Sequence, residues 1–92
     1  MVEIDQQTRQ QIGRLRWRCR RGARELDILF TRFLDTGYAT LNEEQKAAFQ
    51  ALLNQQDPLI LDWFLGRTSP DESALKEMVD LIKKSAKDVA SG

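Results

Sequence analysis

The sequence predicts an all-α fold, a compact single-domain bundle of about five short helices. Three observations support this prediction: helix formers dominate, strand-like alternation is absent, and both prolines stand where a helix would begin. The chain has 92 residues, 41% of them hydrophobic and 30% charged, which is enough apolar material for one modest core. We therefore expect residues 1–92 to form one domain, with residues 1–4 and 86–92 frayed.

The first predicted helix covers about residues 5–18, with Ile12, Leu15 and Cys19 on one face. Arg20 and Arg21 lead into Gly22, which interrupts the pattern because glycine disfavours helix interiors and permits a sharp corner. The sequence therefore predicts a helix followed by a corner. Cys19 is interpreted as a small buried hydrophobe.

The second helix, about residues 23–35, has the strongest apolar stripe, and Gly37 is expected to end it. Thr40 and Glu43 predict a capping box for the third helix. The second helix contributes Leu26, Leu29, Phe30, Phe33 and Leu34 to the predicted core, and the third contributes Ala48, Leu52 and Leu53, with Phe49 at its flank.

The fourth helix is predicted to begin at Asp57-Pro58, because aspartate caps free amides and proline suits the first helical position. Gly66 should close the turn after it. Residues 69–72 carry a cap, a proline and a glutamate, which predict the start of the last helix. Ile60, Trp63 and Phe64 are expected to face inward from the fourth helix, and Leu75, Met78, Val79 and Ile82 from the fifth.

The charges are unevenly distributed although their sum is zero. Residues 1–24 carry net +5, whereas residues 25–72 carry net −6. Six arginines surround the predicted corner, at positions 14, 16, 18, 20, 21 and 24. A solvated face is one interpretation, but Arg20, Arg21 and Arg24 oppose the dipole of the second helix, which favours a use outside the fold.

Composition excludes several function classes. The chain has no histidine and one cysteine, which rules out an internal disulfide, a structural zinc site and a histidine general base. No Gly-rich phosphate loop is present, so we predict neither an enzyme nor a chain that binds a cofactor itself. No apolar run approaches the roughly 20 residues of a membrane span, and the N-terminus lacks a signal peptide. We expect a monomer in a bacterial cytoplasm.

The predicted corner is the candidate binding site. Gly22 lies between the guanidinium of Arg21 and the carboxylate of Glu25, so another protein's backbone could approach closely and find hydrogen-bonding groups beside it. Glu25 and Asp27 also occupy the first turn of the second helix, where carboxylates are favoured and can cap free amides. Trp17 lies off the apolar stripe, and we expect a neighbouring helix to bury it rather than leave it exposed.

These residues resemble a known family, the succinate dehydrogenase flavinylation factors. Its Arg-Gly-x-x-Glu signature is matched by residues 21–25, Arg21-Gly22-Ala23-Arg24-Glu25. Trp17, Cys19 and Arg20 precede the signature and Leu26-Asp27 follow it, as in the family. Asp57-Pro58 followed by Trp63 resembles a second recurrent segment. The resemblance covers nearly the whole chain.

The resemblance implies a partner, the flavoprotein subunit of succinate dehydrogenase, with its fumarate reductase relative as a second candidate. FAD would reside in that partner, where a partner histidine becomes bonded to the flavin, and no cofactor would be bound by this chain. The predicted partner-binding residues are Arg14, Trp17, Arg20, Arg21, Gly22, Ala23, Arg24, Glu25 and Asp27.

The implied function could be carried out by two mechanisms, and the arginine cluster allows one rival function. The corner could hold the flavoprotein in the attachment-competent arrangement, or an arginine could stabilise negative charge on the isoalloxazine. The rival is a nucleic-acid-binding or toxin-neutralising module that uses the arginine cluster. Zero net charge and the lack of a recognition-helix pattern disfavour the rival.

Overall fold

Apolar residues at helical spacing form the five predicted helices in the computed structural model, which describes residues 6–91, with side chains through residue 86. The helices are α1 (Gln6–Arg18), α2 (Arg24–Thr36), α3 (Glu43–Leu53), α4 (Asp57–Phe64) and α5 (Ser73–Ser91), and a 3₁₀ turn, Tyr38–Thr40, lies between α2 and α3. Residues 6–91 contain no strand, so the all-α prediction is confirmed for them. α5 continues beyond residue 85, where the apolar pattern ends. Residues 1–4 and Gly92, which we expected to fray, lie outside the described residues.

The core is built around α2, whose predicted stripe is confirmed. Leu26, Phe30, Phe33 and Leu34 are buried, and Leu29 is partly buried against them. Phe49 of α3 is completely buried, so its placement at the flank of α3 was wrong. Its ring centroid lies 5.5–6.0 Å from those of Phe30, Phe33 and Tyr38. The 3₁₀ turn causes this arrangement, because it brings Tyr38 back over α3 beside α2.

The remaining inward predictions are also confirmed for the most part. Cys19, Ile60 and Trp63 are buried, and Phe64 packs partly buried against the core. The four predicted side chains of α5 are buried as well: Leu75, Met78, Val79 and Ile82. α5 therefore closes the bundle over α2, α3 and α4.

Two predicted helix starts were displaced. The capping box of α3 is formed by Asn42 and Gln45, not by Thr40 and Glu43. The hydroxyl of Thr40 instead donates to the carbonyl of Gly37, 2.8 Å away, inside the 3₁₀ turn. α3 can therefore begin only after this turn.

The start of α5 lies at Ser73 rather than within residues 69–72. Pro70 is buried in an irregular connection, and the first bond that leads into the helix runs from the amide of Lys76 to the carbonyl of Glu72. The connection uses Pro70 for packing, so the proline does not start the helix.

The glycines after α2 and α4 behave differently. Gly37 follows the end of α2 as predicted, but its φ of −129° is not left-handed. Gly66 has a φ of +78° and is the one residue with positive φ within 6–91. Its turn is held by backbone bonds, since the amides of Arg67 and Thr68 both donate to the carbonyl of Asp62. None of the helices between residues 6 and 91 is long and apolar enough to cross a membrane.

Candidate functional site

The side chain of Arg21 forms its hydrogen bonds within the fold. Its guanidinium donates to the Asp57 carboxylate at 2.7 Å and to the carbonyls of Arg18 (3.0 Å), Leu53 (2.9 Å) and Gln55 (2.7 Å). Its side chain is only 12% exposed. The arginine thus joins the α1–α2 corner, residues 19–23, to the end of α3, the start of α4 and the loop between them. The expectation that Arg21 serves outside the fold does not agree with these contacts.

Asp57 completes this attachment. Its Oδ1 accepts from Arg21, while its Oδ2 accepts from the amides of Gly22 at 3.1 Å and Ala23 at 3.4 Å. Burial alone would raise the pKa of Asp57, but the hydrogen bonds from Arg21 and the two amides outweigh burial and lower the pKa below 3.8. The sequence-based interpretation that Asp57 caps its own helix was wrong, because the carboxylate serves the amides that lead into α2.

Gly22 is exposed at this corner, and the fold does not require a glycine at this position. A Cβ atom there would meet nothing closer than Asp57 Oδ2 at 3.8 Å, which is an ordinary contact. Its φ is not left-handed. Both usual reasons for a glycine, a special backbone angle and a crowded site, are therefore lacking here. The open space lies outside the molecule, where a partner could use it.

The exposed part of the signature is unpaired. Arg24 and Glu25 are exposed, and within residues 6–86 neither side chain has a hydrogen bond or ion pair. Glu25 lies in the first turn of α2 as predicted. Its carboxylate accepts no hydrogen bond from a residue within 6–86, so the capping role considered for it is not formed. Asp27 is half-buried and accepts from the Thr31 hydroxyl at 3.5 Å.

Of the six clustered arginines, some have side chains that make contacts within the fold and the others have exposed side chains. Arg16 pairs with Asp35 at 2.6 Å, and Arg18 donates to the Gln50 carbonyl and the Asn54 side chain. With Arg21 these are three of the six arginines. Arg14, Arg20 and Arg24 are exposed and have no acidic partner within residues 6–86. The positive surface is therefore smaller than the sequence suggests.

Trp17 is 73% exposed, so the prediction that it is buried was wrong. It lies off the apolar face of α1, and none of the described helices covers it. The guanidinium of Arg20 stands 5.8 Å from the centre of its ring. The two side chains border an open depression of about 290 Å³ that Asp27 also lines. Exposed tryptophan and arginine are the residue types most often found at binding hot spots.

Cys19 offers no reactive group at the corner. The side chain is completely buried, and this burial raises the pKa of its thiol to about 11. A thiol is a nucleophile or metal ligand only as the thiolate. Among the described residues, moreover, no three His, Cys, Asp or Glu side chains are grouped to hold a metal ion. The arrangement provides hydrogen-bonding and apolar groups for binding.

The site residues thus fall into three sets and one separate residue. Arg21 and Asp57 lie inside and shape the corner; Gly22, Ala23, Arg24 and Glu25 form its outer side; Trp17, Arg20 and Asp27 border the adjacent depression; and Arg14 lies exposed further along α1. Asp57 was not among the predicted site residues. Asp57 was visible in the sequence as part of the Asp-Pro pair, but that pair was interpreted only as the start of a helix.

The chain is similar to known proteins over most of its length. Residues 13–86 match a family model described as "Flavinator of succinate dehydrogenase". A protein of Coxiella burnetii named FAD assembly factor SdhE is 42% identical over 71 residues, which cover 77% of this chain and 87% of the relative.

Two further relatives carry the same name. That of Idiomarina loihiensis is 45% identical over 74 residues, 80% of this chain and 82% of the relative. That of Pectobacterium atrosepticum is 40% identical over 87 residues, 95% of this chain and 93% of the relative. The similarity thus extends over most of both chains.

Proposed function

Since this chain belongs to the family described as flavinators of succinate dehydrogenase, we propose that it binds the flavoprotein subunit of that enzyme and promotes covalent attachment of FAD to it. The proposal depends on one observation above all: Gly22 is exposed at a fixed corner although the fold does not require a glycine there. A residue that the interior does not explain is best explained by a surface that meets it.

We name the docking corner as Gly22, Arg24 and Glu25, together with Trp17 and Arg20 beside them. The absence of a side chain at position 22 lets a partner's backbone come within van der Waals distance of this chain. Arg24 and Glu25 then offer charged hydrogen-bonding groups that have no partner among the side chains of residues 6–86. Trp17 adds a large apolar surface to the polar contacts.

Arg21 and Asp57 act as positioning residues in this proposal. Their 2.7 Å ion pair and the bonds from Asp57 to two backbone amides fix the corner before a partner arrives. A preformed surface loses less conformational entropy on binding than a flexible loop does. The role of the signature arginine is therefore to hold the glycine and the glutamate in place.

The chain promotes attachment by binding and not by catalysis. It has no histidine, so the histidine that the family resemblance implies as the attachment point lies in the partner, as does the FAD. Preferential binding of the attachment-competent conformer raises its population. The shift is limited by the difference between the binding free energies of the two flavoprotein conformers. If a guanidinium also stabilises charge on the flavin, Arg20 or Arg24 supplies it, since Arg21 is occupied.

The same proposal includes the surroundings in which the chain works. We place the chain, as a monomer, in the bacterial cytoplasm, and we include the fumarate reductase flavoprotein as a second partner. Nucleic acid is not a partner in this account, because three of the six clustered arginines are committed to internal contacts.

The test is covalent flavin fluorescence of the succinate dehydrogenase flavoprotein on a denaturing gel. We compare cells with the chain, without it, and with Gly22→Arg. The proposal predicts a fluorescent band that is lost both without the chain and with the variant. A band of equal intensity in all three would contradict it. Circular dichroism of the purified variant checks that its helices are intact.

A further inference from the structure

An apolar groove lies between α2, α4 and the C-terminal part of α5. It encloses about 570 Å³. We call it the α2–α4–α5 groove. Eight residues line it: Glu25, Leu26, Leu29, Leu61, Phe64, Leu65, Lys83 and Ala86. Six of these side chains are apolar, so the groove differs in character from the polar docking corner.

The groove leaves apolar surface uncovered. Leu65 is 61% exposed, and Leu29, Leu61 and Phe64 are only partly buried against the core. Single exposed leucines are common on protein surfaces, but a continuous apolar patch in a concavity is typical of a binding site. No side chain within residues 6–86 covers this apolar surface.

Two oppositely charged side chains line the same groove. Glu25 comes from the first turn of α2 and Lys83 from α5, and both are exposed without an ion-pair partner within residues 6–86. Glu25 is also the last residue of the Arg-Gly-x-x-Glu signature. The groove is therefore continuous with the docking corner and shares one residue with it.

We propose that the α2–α4–α5 groove is a second contact with the flavoprotein, occupied by a segment whose apolar side chain packs on Leu65. The unpaired charges select that segment further: a basic group meets Glu25 and an acidic group meets Lys83. This inference rests on the proposed function, since it names another part of the surface that the same partner covers.

The size of the groove favours this occupant over a second copy of the chain. A stable interface takes about 20–30 residues from each side, whereas eight residues line the groove. Alone it is too small for a stable dimer. Together with the docking corner it forms a larger surface, on which one flavoprotein can cover both.

Two exposed leucines provide a matched test. Leu65→Gln removes the apolar contact in the groove, and Leu59→Gln makes the same change on α4 outside the groove, where the side chain is 42% exposed. Calorimetric titration of purified flavoprotein with each full-length variant should show affinity reduced about tenfold for Leu65→Gln. Leu59→Gln should bind within about twofold of the unmodified chain. Thermal unfolding of both variants checks the fold.

Two neighbouring lysines test the charge requirement. Lys83→Glu and Lys84→Glu change the net charge equally, but only Lys83 lines the groove. The inference predicts a loss of about threefold for Lys83→Glu at physiological salt. Lys84→Glu should remain near the unmodified value.

The outcomes separate this inference from the function on which it rests. Unchanged affinity of Leu65→Gln and Lys83→Glu, with binding lost for Gly22→Arg, would overturn the groove contact and leave the proposed function standing. No binding by the unmodified chain would overturn both. A dimer that dissociates on Leu65→Gln, seen by sedimentation equilibrium, would assign the groove to self-association and contradict the inference.

Discussion

Two glycine-containing turns of this molecule are held in opposite ways. The turn after α4 is held by its own backbone: Gly66 has a φ of +78°, and two following amides donate to the Asp62 carbonyl. The α1–α2 corner is held by residues distant in sequence, because the side chains of Arg21 and Asp57 join it to the end of α3 and the start of α4.

The difference explains why each glycine is present. Gly66 adopts a backbone angle that side chains rarely allow, so the fold itself requires it. Gly22 has an ordinary angle and space for a Cβ atom, so the fold does not require a glycine there. This difference supports the proposal that a partner comes close at Gly22.

The largest expected effect is on the corner held by side chains. Asp57→Ala should lower the free energy of unfolding by roughly 2–3 kcal/mol, because it removes the ion-pair partner of the mostly buried Arg21 and the acceptor of its Nε–H and of two amides. Urea unfolding measures the change. Asp62→Ala is the control, since its exposed pair with Arg67, at 3.4 Å, should be worth less than about 1 kcal/mol. Equal losses would show that the corner is not held by Asp57.

The next effect separates docking from folding at Glu25. Glu25→Ala should weaken binding to the flavoprotein about tenfold, or about 1.4 kcal/mol, because the carboxylate has no partner within residues 6–86. Stability should fall by only a few tenths of a kcal/mol, the contribution of a charge at a helix N-terminus. Calorimetric titration and urea unfolding give the two values. Unchanged affinity with a clearly lowered stability would assign Glu25 to the helix alone.

A smaller effect compares the two glycines directly. Gly66→Ala should cost about 1 kcal/mol of stability, since alanine must adopt a left-handed angle. Gly22→Ala should leave the free energy of unfolding nearly unchanged, because its Cβ would make only an ordinary contact. Urea titrations of both variants provide the comparison. A greater loss at Gly22 would mean that the fold does require this glycine.

The smallest effect is the pH dependence of the corner. The pKa of Asp57 is lowered in the folded chain, so its stabilisation is complete above the unfolded value near 3.8 and is lost as the pH falls through the folded value. Unfolding free energies measured from pH 5 to pH 3 should therefore fall more steeply for the unmodified chain than for Asp57→Asn. Parallel curves would remove Asp57 from the account.

The sequence predicted the helices better than it predicted their contacts. The stripe on α2 and the inward face of α5 follow from helical spacing alone, and both are confirmed. The prediction that Trp17 is buried was wrong, because its burial depended on whether another helix would cover that side of α1. A sequence pattern cannot decide this.

At the site, too, local features could be predicted from the sequence, whereas contacts between residues far apart in the chain could not. The signature at residues 21–25 was visible in the sequence, but the inward orientation of Arg21 was not. That orientation depends on carbonyls of Leu53 and Gln55, more than 30 positions away. Asp57 was recognised as a helix start, which is a local feature, whereas its bonds to the α1–α2 corner are not.

The central claim is that a partner approaches closely at Gly22, and a size series there tests it most directly. We would measure the affinity of purified flavoprotein for the unmodified chain and for Gly22→Ala, Gly22→Val and Gly22→Arg, with the melting temperature of each. The account predicts that affinity falls at each step and is lost with arginine, while the melting temperature stays nearly constant. Undiminished binding by Gly22→Arg would contradict it.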